Sequence, residues 1–486
     1  MSDNTTTTDE SPTAAKPNVI VAVLAIAGIG VSLMQTLVIP LLPELPRLIG
    51  AAAGDTTWTV TVTLLAAAVA TPVVGRLGDM FGKKRMLMVS LTLLVAGSVV
   101  AALSDSLTPL IVGRAMQGLA AGVIPLGISI MRDELPKERM ASAMALMSAS
   151  LGIGGALGLP AAAFLADKAD WHVLFWASAG MGAVCFALVA ALVPESSVRS
   201  GGRFDGIGAV GLSIGLVAML LAVSKGADWG WTDPLTLGLA GLAVVTFLLW
   251  GVWELRTREP LVDLRTTVRR QVLVTDLASV VFGFAMLAMS LVLPQLLQLP
   301  AATGYGMGQT MLSVGLVMAP SGLVMVAIAP LSARVTNAKG PKTTLMIGAV
   351  IVAAAYGLGT VLMAEIWQLV LVSALMGAGM GFAYGAMPAL IMAATPRSET
   401  AAANSLNTLM RSIGTSVASA VAGVILAHMT IDLGGVPVPS EDAFRLVMGI
   451  AAGAALAALA IAAFLPRRAP ETEESEPEPA LAAARH

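Results

Sequence analysis

Charged side chains are scarce in this chain, 12% of 486 residues, while apolar ones make up 57%. So few charges cannot cover a fold in water, which excludes a soluble enzyme or binding domain and leaves a protein whose surface meets a lipid bilayer. Cysteine occurs once, as Cys185 in an apolar run; this rules out an internal disulfide and argues against a cysteine metal site. The histidines are only His172, His428 and His486, with no H-E-x-x-H pair to hold a metal. There is no G-x-x-x-x-G-K-[ST] loop, so a nucleotide is not the energy source, and no cofactor is expected. A net charge of −2 gives no footprint for nucleic acid. Aromatics are 5%, whereas 49 glycines accompany alanine-rich runs, a composition suited to helices that approach closely through small faces.

What the chain does have is long apolar runs. A hydrocarbon core of about 30 Å needs about 20 apolar residues per helix. Fourteen such runs begin near residues 19, 57, 86, 108, 139, 171, 205, 234, 272, 309, 343, 367, 401 and 441. An even number places both termini on one side, and basic residues decide which. With the N-terminus inside, 22 of the 28 lysines and arginines fall on cytoplasmic segments; the exceptions are Arg47, Lys168, Lys225 and Arg445 at the outer side and Arg114 and Arg411 within spans. The expectation is a multi-pass protein of the cell membrane with both termini cytoplasmic. Residues 1–18 are polar and threonine-rich and residues 467–486 carry the acidic run ETEESEPEPA; both are expected to be disordered cytoplasmic tails, the first in place of a cleaved signal peptide.

The chain also repeats itself. A shift of 258 lays Arg76 on Arg334, Gly82 on Gly340 and Lys84 on Lys342, with Asp79 meeting Asn337. A shift of 259 lays Gly118 and Gly122 on Gly377 and Gly381, and one of 262 lays Ser150-Leu151-Gly152 on Ser412-Ile413-Gly414. Three similar offsets in one order predict an all-α fold of fourteen transmembrane helices, built as two six-helix halves related by a pseudo-twofold plus an inserted helix pair. The expected segments are an N-terminal half at 19–195, the inserted pair and linker at 196–270, and a C-terminal half at 271–466. Five arginines in the linker, from Arg256 to Arg270, suit a surface that faces anionic lipid.

One polar stretch between apolar runs stands out: Gly75-Arg76-Leu77-Gly78-Asp79-Met80-Phe81-Gly82-Lys83-Lys84-Arg85. Its glycines allow a sharp turn, and one acid among several bases makes a latch whose ion pairs can be exchanged as helices tilt. On the residues alone it is equally an ordinary basic turn. It resembles the loop motif G-x-L-a-D-r-x-G-r-k between the second and third helices of the major facilitator superfamily. The likeness, to the fourteen-helix drug:proton antiporter branch, runs from residue 19 to about 465. The resemblance implies a loop that holds the cytoplasmic side closed, with Asp79 and Arg76 as its charge relay.

Arg114-Ala115-Met116-Gln117-Gly118 in the fourth run is similar to the family's R-x-x-Q-G motif, which implies a part in proton transfer for Arg114 and Gln117. An arginine inside a span must face a polar interior unless it snorkels to the surface. In the fifth run, Gly152, Gly154, Gly155, Gly158 and Pro160 partly match the antiporter motif G-x-x-x-G-P-x-x-G-G, although Leu159 splits the Gly-Pro pair and Ala161 to Ala163 stand where further glycines belong. The alternative is close packing of a bent helix. The largest departure is in the first run, where the family's L-D-x-T becomes Leu33-Met34-Gln35-Thr36; Met34 cannot bind a proton. If protons couple to transport, Asp133, Glu134, Asp276 or Asp79 must carry them.

Arg411 lies mid-run with Asn404 and Asn407 on much the same helical face. These three, with Gln35 and Arg114, are the residues expected to line a substrate cavity; a static tie of Arg411 to backbone carbonyls is the alternative. Two cations and no acid in mid-span favour neutral or anionic lipophilic cargo over dications. Met116, Met144, Met147, Met286, Met289, Met318, Met325, Met380 and Met387 would give that cavity a soft lining. The function expected is proton-coupled efflux of lipophilic drugs or antibiotics by a monomer using alternating access. A transporter for one specific metabolite, without proton coupling, is the rival that Met34 favours.

Overall fold

The computed structural model describes residues 17–38, 41, 45–168 and 170–465; apart from Pro17 and Asn18, which begin the first helix, the two terminal tails lie outside the described residues. Every apolar run forms a helix, each starting within three residues of its expected position. In order these are α1 (Pro17–Thr36), α2 (Trp58–Phe81), α3 (Lys83–Ala102), α4 (Leu107–Glu134), α5 (Lys137–Lys168), α6 (His172–Leu192) and α7 (Gly206–Trp229). There follow α8 (Pro234–Arg256), α9 (Arg270–Gln298), α10 (Met311–Lys339), α11 (Pro341–Gly359), α12 (Ile366–Ala394), α13 (Thr400–His428) and α14 (Glu441–Ala463). Among the described residues thirteen of them are long and apolar enough to cross a membrane; α5, at 32 residues, is the longest helix. Single glycines make the tightest joints: Gly82 (φ +119°) alone separates α2 from α3, and Gly340 (φ +85°) separates α10 from α11, conformations that side chains with a Cβ resist.

Helices α1–α6 and α9–α14 form two equivalent halves, each with its own apolar core. Within them, α1 packs on α5 as α9 packs on α13, and α2 on α4 as α10 on α12; α3 meets α4 and α6 as α11 meets α12 and α14. Between halves α5 lies along α10 and α2 along α13, and exchanging the halves turns one pair into the other. The equivalence reaches single residues. Gly118 packs on the Thr63 carbonyl and Gly377 on the Ser321 carbonyl, while Lys84 Nζ donates to the Ala190 carbonyl (2.9 Å) and Lys342 Nζ to that of Ala463 (2.7 Å).

The inserted pair is not symmetric in its contacts. Helix α7 packs on both α2 and α13, covering that seam with Leu212, Leu216 and Leu220, whereas α8 packs chiefly on α7. At its far end Lys225 holds the Thr57 hydroxyl (2.6 Å) beneath the Trp58 ring. On the face opposite the basic loops, His172 bridges Asp170 and the Ser104 carbonyl, and its backbone N–H and ring together hold the Asp170 carboxyl below the usual range. A hairpin of β1 (Thr430–Leu433) and β2 (Val436–Pro439) joins α13 to α14, turning at Gly434-Gly435.

Helices α9 and α13 touch backbone to backbone, Gly283 on the Arg411 carbonyl and Gly414 on the Val280 carbonyl. Added volume there has nowhere to go, and overpacking costs about 1–3 kcal/mol. Gly414→Val is therefore expected to lower the melting temperature in detergent, followed by size-exclusion of the heated protein; an unchanged melt would contradict this close contact.

Candidate functional site

The polar stretch after α2 is built into the interface between the halves. Asp79, in the last turn of α2, is fully buried and accepts hydrogen bonds from the backbone N–H groups of Ala401 (3.2 Å) and Ala402 (2.8 Å). Those N–H groups belong to the first turn of α13, which has no helical partner for them and carries the positive end of the helix dipole. Lys83, also fully buried, lies 3.7 Å from Asp79 and 2.5 Å from Asp133, which also accepts from the Ser196 hydroxyl (2.5 Å). Gly75 faces Ser405 and the Ala401 carbonyl, and Gly78 faces Leu126, with no room for a side chain at either. Glu195 caps the start of α3 through the backbone N–H groups of Lys84 and Arg85 (both 3.2 Å).

Arg76, one turn before Asp79, lines a cavity of about 290 Å³ with Asp263, Val272, Thr395, Glu399, Ala402 and Leu406, and its buried Nε has no partner among the described residues. Two further ties close the same face. Arg132 at the end of α4 donates to the Thr400 hydroxyl (2.6 Å) and to the carbonyls of Met392 (2.7 Å) and Thr395 (2.9 Å), clamping the joint between α12 and α13. Ser148 of α5 donates to the Tyr384 carbonyl of α12 (2.6 Å). All three ties join one half to the other at or below the middle of the spans on the basic face, which is shut in this conformation.

Arg114 is 2% exposed and does not snorkel. Its guanidinium donates to the carbonyls of Thr59 (3.1 Å) and Met34 (3.3 Å) and to Gln117 Oε1 (2.7 Å); Gln117 in turn donates to Ser98 Oγ (2.8 Å). This network ties α1, α2, α3 and α4 together inside the first half, where α4 tightens to a 3₁₀ turn at Leu119–Gly122. Glu134 sits half-buried at the end of α4 beside Asp133. The side chain of Gln35 lies outside the described residues.

In the second half, Asp276 is 3% exposed and its Oδ1 accepts from Asn407 Nδ2 (2.8 Å), which also reaches Ser279 Oγ (2.7 Å). Asn404 turns to the Thr400 carbonyl of its own helix (2.9 Å). Arg411 stacks over the Tyr384 ring at 4.9 Å, and the Tyr384 hydroxyl reaches Met286 Sδ (3.2 Å). The structure thus brings Asn407 to Asp276 and Arg411 to Tyr384, and leaves Arg114 in the other half. On α5, Gly152 faces Met325 and Pro160 faces Gly315, both on α10, while Gly154 faces Ser32 of α1; Gly158 is buried and the surroundings of Gly155 lie outside the described residues. Sequence reasoning passed over Arg132 and Tyr384. Arg132 had a signal, a cation at a helix end; Tyr384 had none.

Two six-helix halves with a hinge-like charged clasp on one face define a secondary membrane transporter rather than an enzyme. The chain belongs to the Major Facilitator Superfamily, whose sequence profile matches residues 24–358 and 278–485. It is 24% identical over 381 residues to multidrug resistance protein 3 of Bacillus subtilis, spanning 76% of this chain and 72% of that one. A multidrug resistance protein B homolog of Mycobacterium tuberculosis is 26% identical over 382 residues, covering 76% and 69%. Among solved structures, the human organic anion transporter MFSD10 shares the fold with a TM-score of 0.66 at 16% identity, over 93% of this chain and all of that one.

Proposed function

We propose that this transporter exports lipophilic small molecules, drugs and antibiotics among them, in exchange for protons. The half at 19–195 rocks against the half at 271–466 as a monomer in the cell membrane, with both termini and the basic face cytoplasmic. The observation that carries this reading is the clasp of Asp79 on the free N–H groups of α13. It is strong enough to hold the basic face shut, yet made of a few hydrogen bonds and one ion pair that a helix tilt can exchange. The relatives named for multidrug resistance support the cargo class. The strong bias of basic residues to one face supports the orientation.

Arg411, over the Tyr384 ring, has no carboxylate within ion-pair distance among the described residues, so a substrate site that included it would suit neutral and anionic lipophilic cargo. A hydrogen bond to a charged partner contributes about 1.5–3 kcal/mol. Arg411→Gln is therefore expected to weaken anionic cargo by about tenfold or more and neutral cargo little, read as export of a dye panel; equal loss for both would remove Arg411 from the binding surface.

A second reading, a carrier of one specific metabolite without proton coupling, is favoured by Met34, which stands where related antiporters have an acid and is buried. The deciding experiment imposes a pH gradient on vesicles holding the purified chain and follows a panel of fluorescent lipophilic compounds. Export of several compounds that collapses with the gradient supports antiport; export indifferent to it overturns that reading in favour of the second.

A further inference from the structure

We propose that Asp276 is the residue that carries the proton, bound while the basic face is shut and released to the basic side when α13 leaves Asp79. This rests on the proton-coupled reading above and names the atom that reading lacks.

Two of the other buried acids are already paired. Asp79 faces Lys83 and the start of α13, and Asp133 pairs with Lys83. Glu254, whose carboxylate oxygens are also buried without partners among the described residues, lies in α8, which packs on α7 and the short helix Leu264–Thr267 and so outside both halves. Asp276 differs: it lies in the core of a half, Oδ1 meets only the neutral amide of Asn407, and Oδ2 has no partner among the described residues. The short helix Leu264–Thr267 packs against α9, its Arg265 donating to the Leu255 carbonyl; helices α10, α12, α13 and α14 pack against α9 as well. Their titratable groups are Arg334 and Lys339 near the basic end of α10, Tyr384 on α12, Arg411 one turn beyond Asn407 and His428 at the far end of α13, and Glu441, Asp442 and Arg445 at the far end of α14. On α9 itself only Arg270 is charged besides Asp276. None makes an ion pair with Asp276. A carboxylate in that position would be an uncompensated buried charge, whereas a protonated carboxyl sits there at little cost.

The geometry also supplies an exit. The cavity beside Arg76 is lined by Val272, one turn before Asp276 on α9, and by Ala402 and Leu406, the latter adjacent to Asn407. It opens among the linker residues of the basic face, and its lining residue Val272 stands one helical turn, about 6 Å along the axis, from Asp276. What closes its inner wall is the start of α13, held by Asp79. When that hold breaks, water in the cavity can reach Oδ2; the O–H bond breaks, the proton passes to that water, and the carboxylate left behind keeps the Asn407 amide. Shutting the face again expels the water and requires a proton from the opposite side. The order, shut with proton and open without, is the one an exporter driven by external protons needs.

The test uses the full chain in liposomes with a trapped pH dye and the panel compound it exports best. The native chain should move protons with cargo. Asp276→Asn should abolish both cargo-linked proton movement and uphill export while exchange of labelled for unlabelled cargo continues, and Asp276→Glu should restore both lost activities. Asn407→Ala, which keeps the acid, should stay coupled but move the pH profile of export. Proton movement that persists in Asp276→Asn overturns the proposal, as does loss of exchange in both Asp276→Asn and Asp276→Glu, which would make the acid structural. If the native chain itself moves no protons, proton coupling fails first, and that is seen before any variant is compared.

Discussion

Asp79→Asn is expected to open the basic face and to lower uphill transport by about tenfold or more. The change keeps the shape of the side chain and removes its charge. A carboxylate at a partly buried helix N-terminus contributes up to about 2 kcal/mol, and an asparagine turned to accept from Ala402 must point its own NH₂ toward the Ala401 N–H or toward Lys83. Lys83 keeps Asp133 at 2.5 Å, so the first half retains its local fold while its hold on α13 is lost. About 2 kcal/mol is roughly a thirtyfold change in an equilibrium between shut and open. Because Cys185 is the chain's single cysteine and is buried, it can be replaced by serine and new cysteines placed at exposed Arg85 and Lys339, one on each half. Spin-label distances between them should lengthen in Asp79→Asn. Identical distributions in native and variant would mean that Arg132 and Ser148 alone hold the face shut.

Much of this architecture was readable because the bilayer imposes it. Helix starts fell within three residues of expectation since a span ends where apolar length runs out and a glycine, proline or charge follows. The repeat was readable because close helix contacts demand glycine at equivalent places, as at Gly118 and Gly377. What was hidden lies in pairings that sequence distance conceals. Asn407 and Asp276 stand 131 residues apart, and placing Asn407 on the face of Arg411 gave no hint that it turns to α9. Arg132 works mostly through carbonyls that every sequence possesses, with one threonine hydroxyl among them, so the pattern of its partners left no trace. The hairpin between α13 and α14 did carry a signal, Gly434-Gly435 between short runs holding Thr430 and Ile431 on one side and Val436 and Val438 on the other, but an account built on hydropathy counts only spans.

Arg114→Ala is expected to be the most damaging substitution in the first half, and its pattern separates two roles. Removing the guanidinium leaves the buried carbonyls of Met34 and Thr59 and the Gln117 amide oxygen without their donor, at about 1–3 kcal/mol for each unsatisfied group. Arg114→Lys should recover little, since one ammonium cannot reproduce a planar fork aimed at α1, α2 and Gln117 at once. A tie of this kind positions the whole half. Its loss should therefore lower the melting temperature and reduce gradient-driven export and gradient-free cargo exchange together. A proton relay would behave otherwise: exchange would survive and only uphill export would fall, as expected for Asp276→Asn. Measuring both modes in one vesicle preparation decides whether the R-x-x-Q-G residues of this chain handle protons or hold α1 in place. One of the two carbonyls Arg114 holds belongs to Met34, so where related antiporters keep an acid this chain anchors a backbone, and the acid proposed to carry the proton, Asp276, lies in the other half.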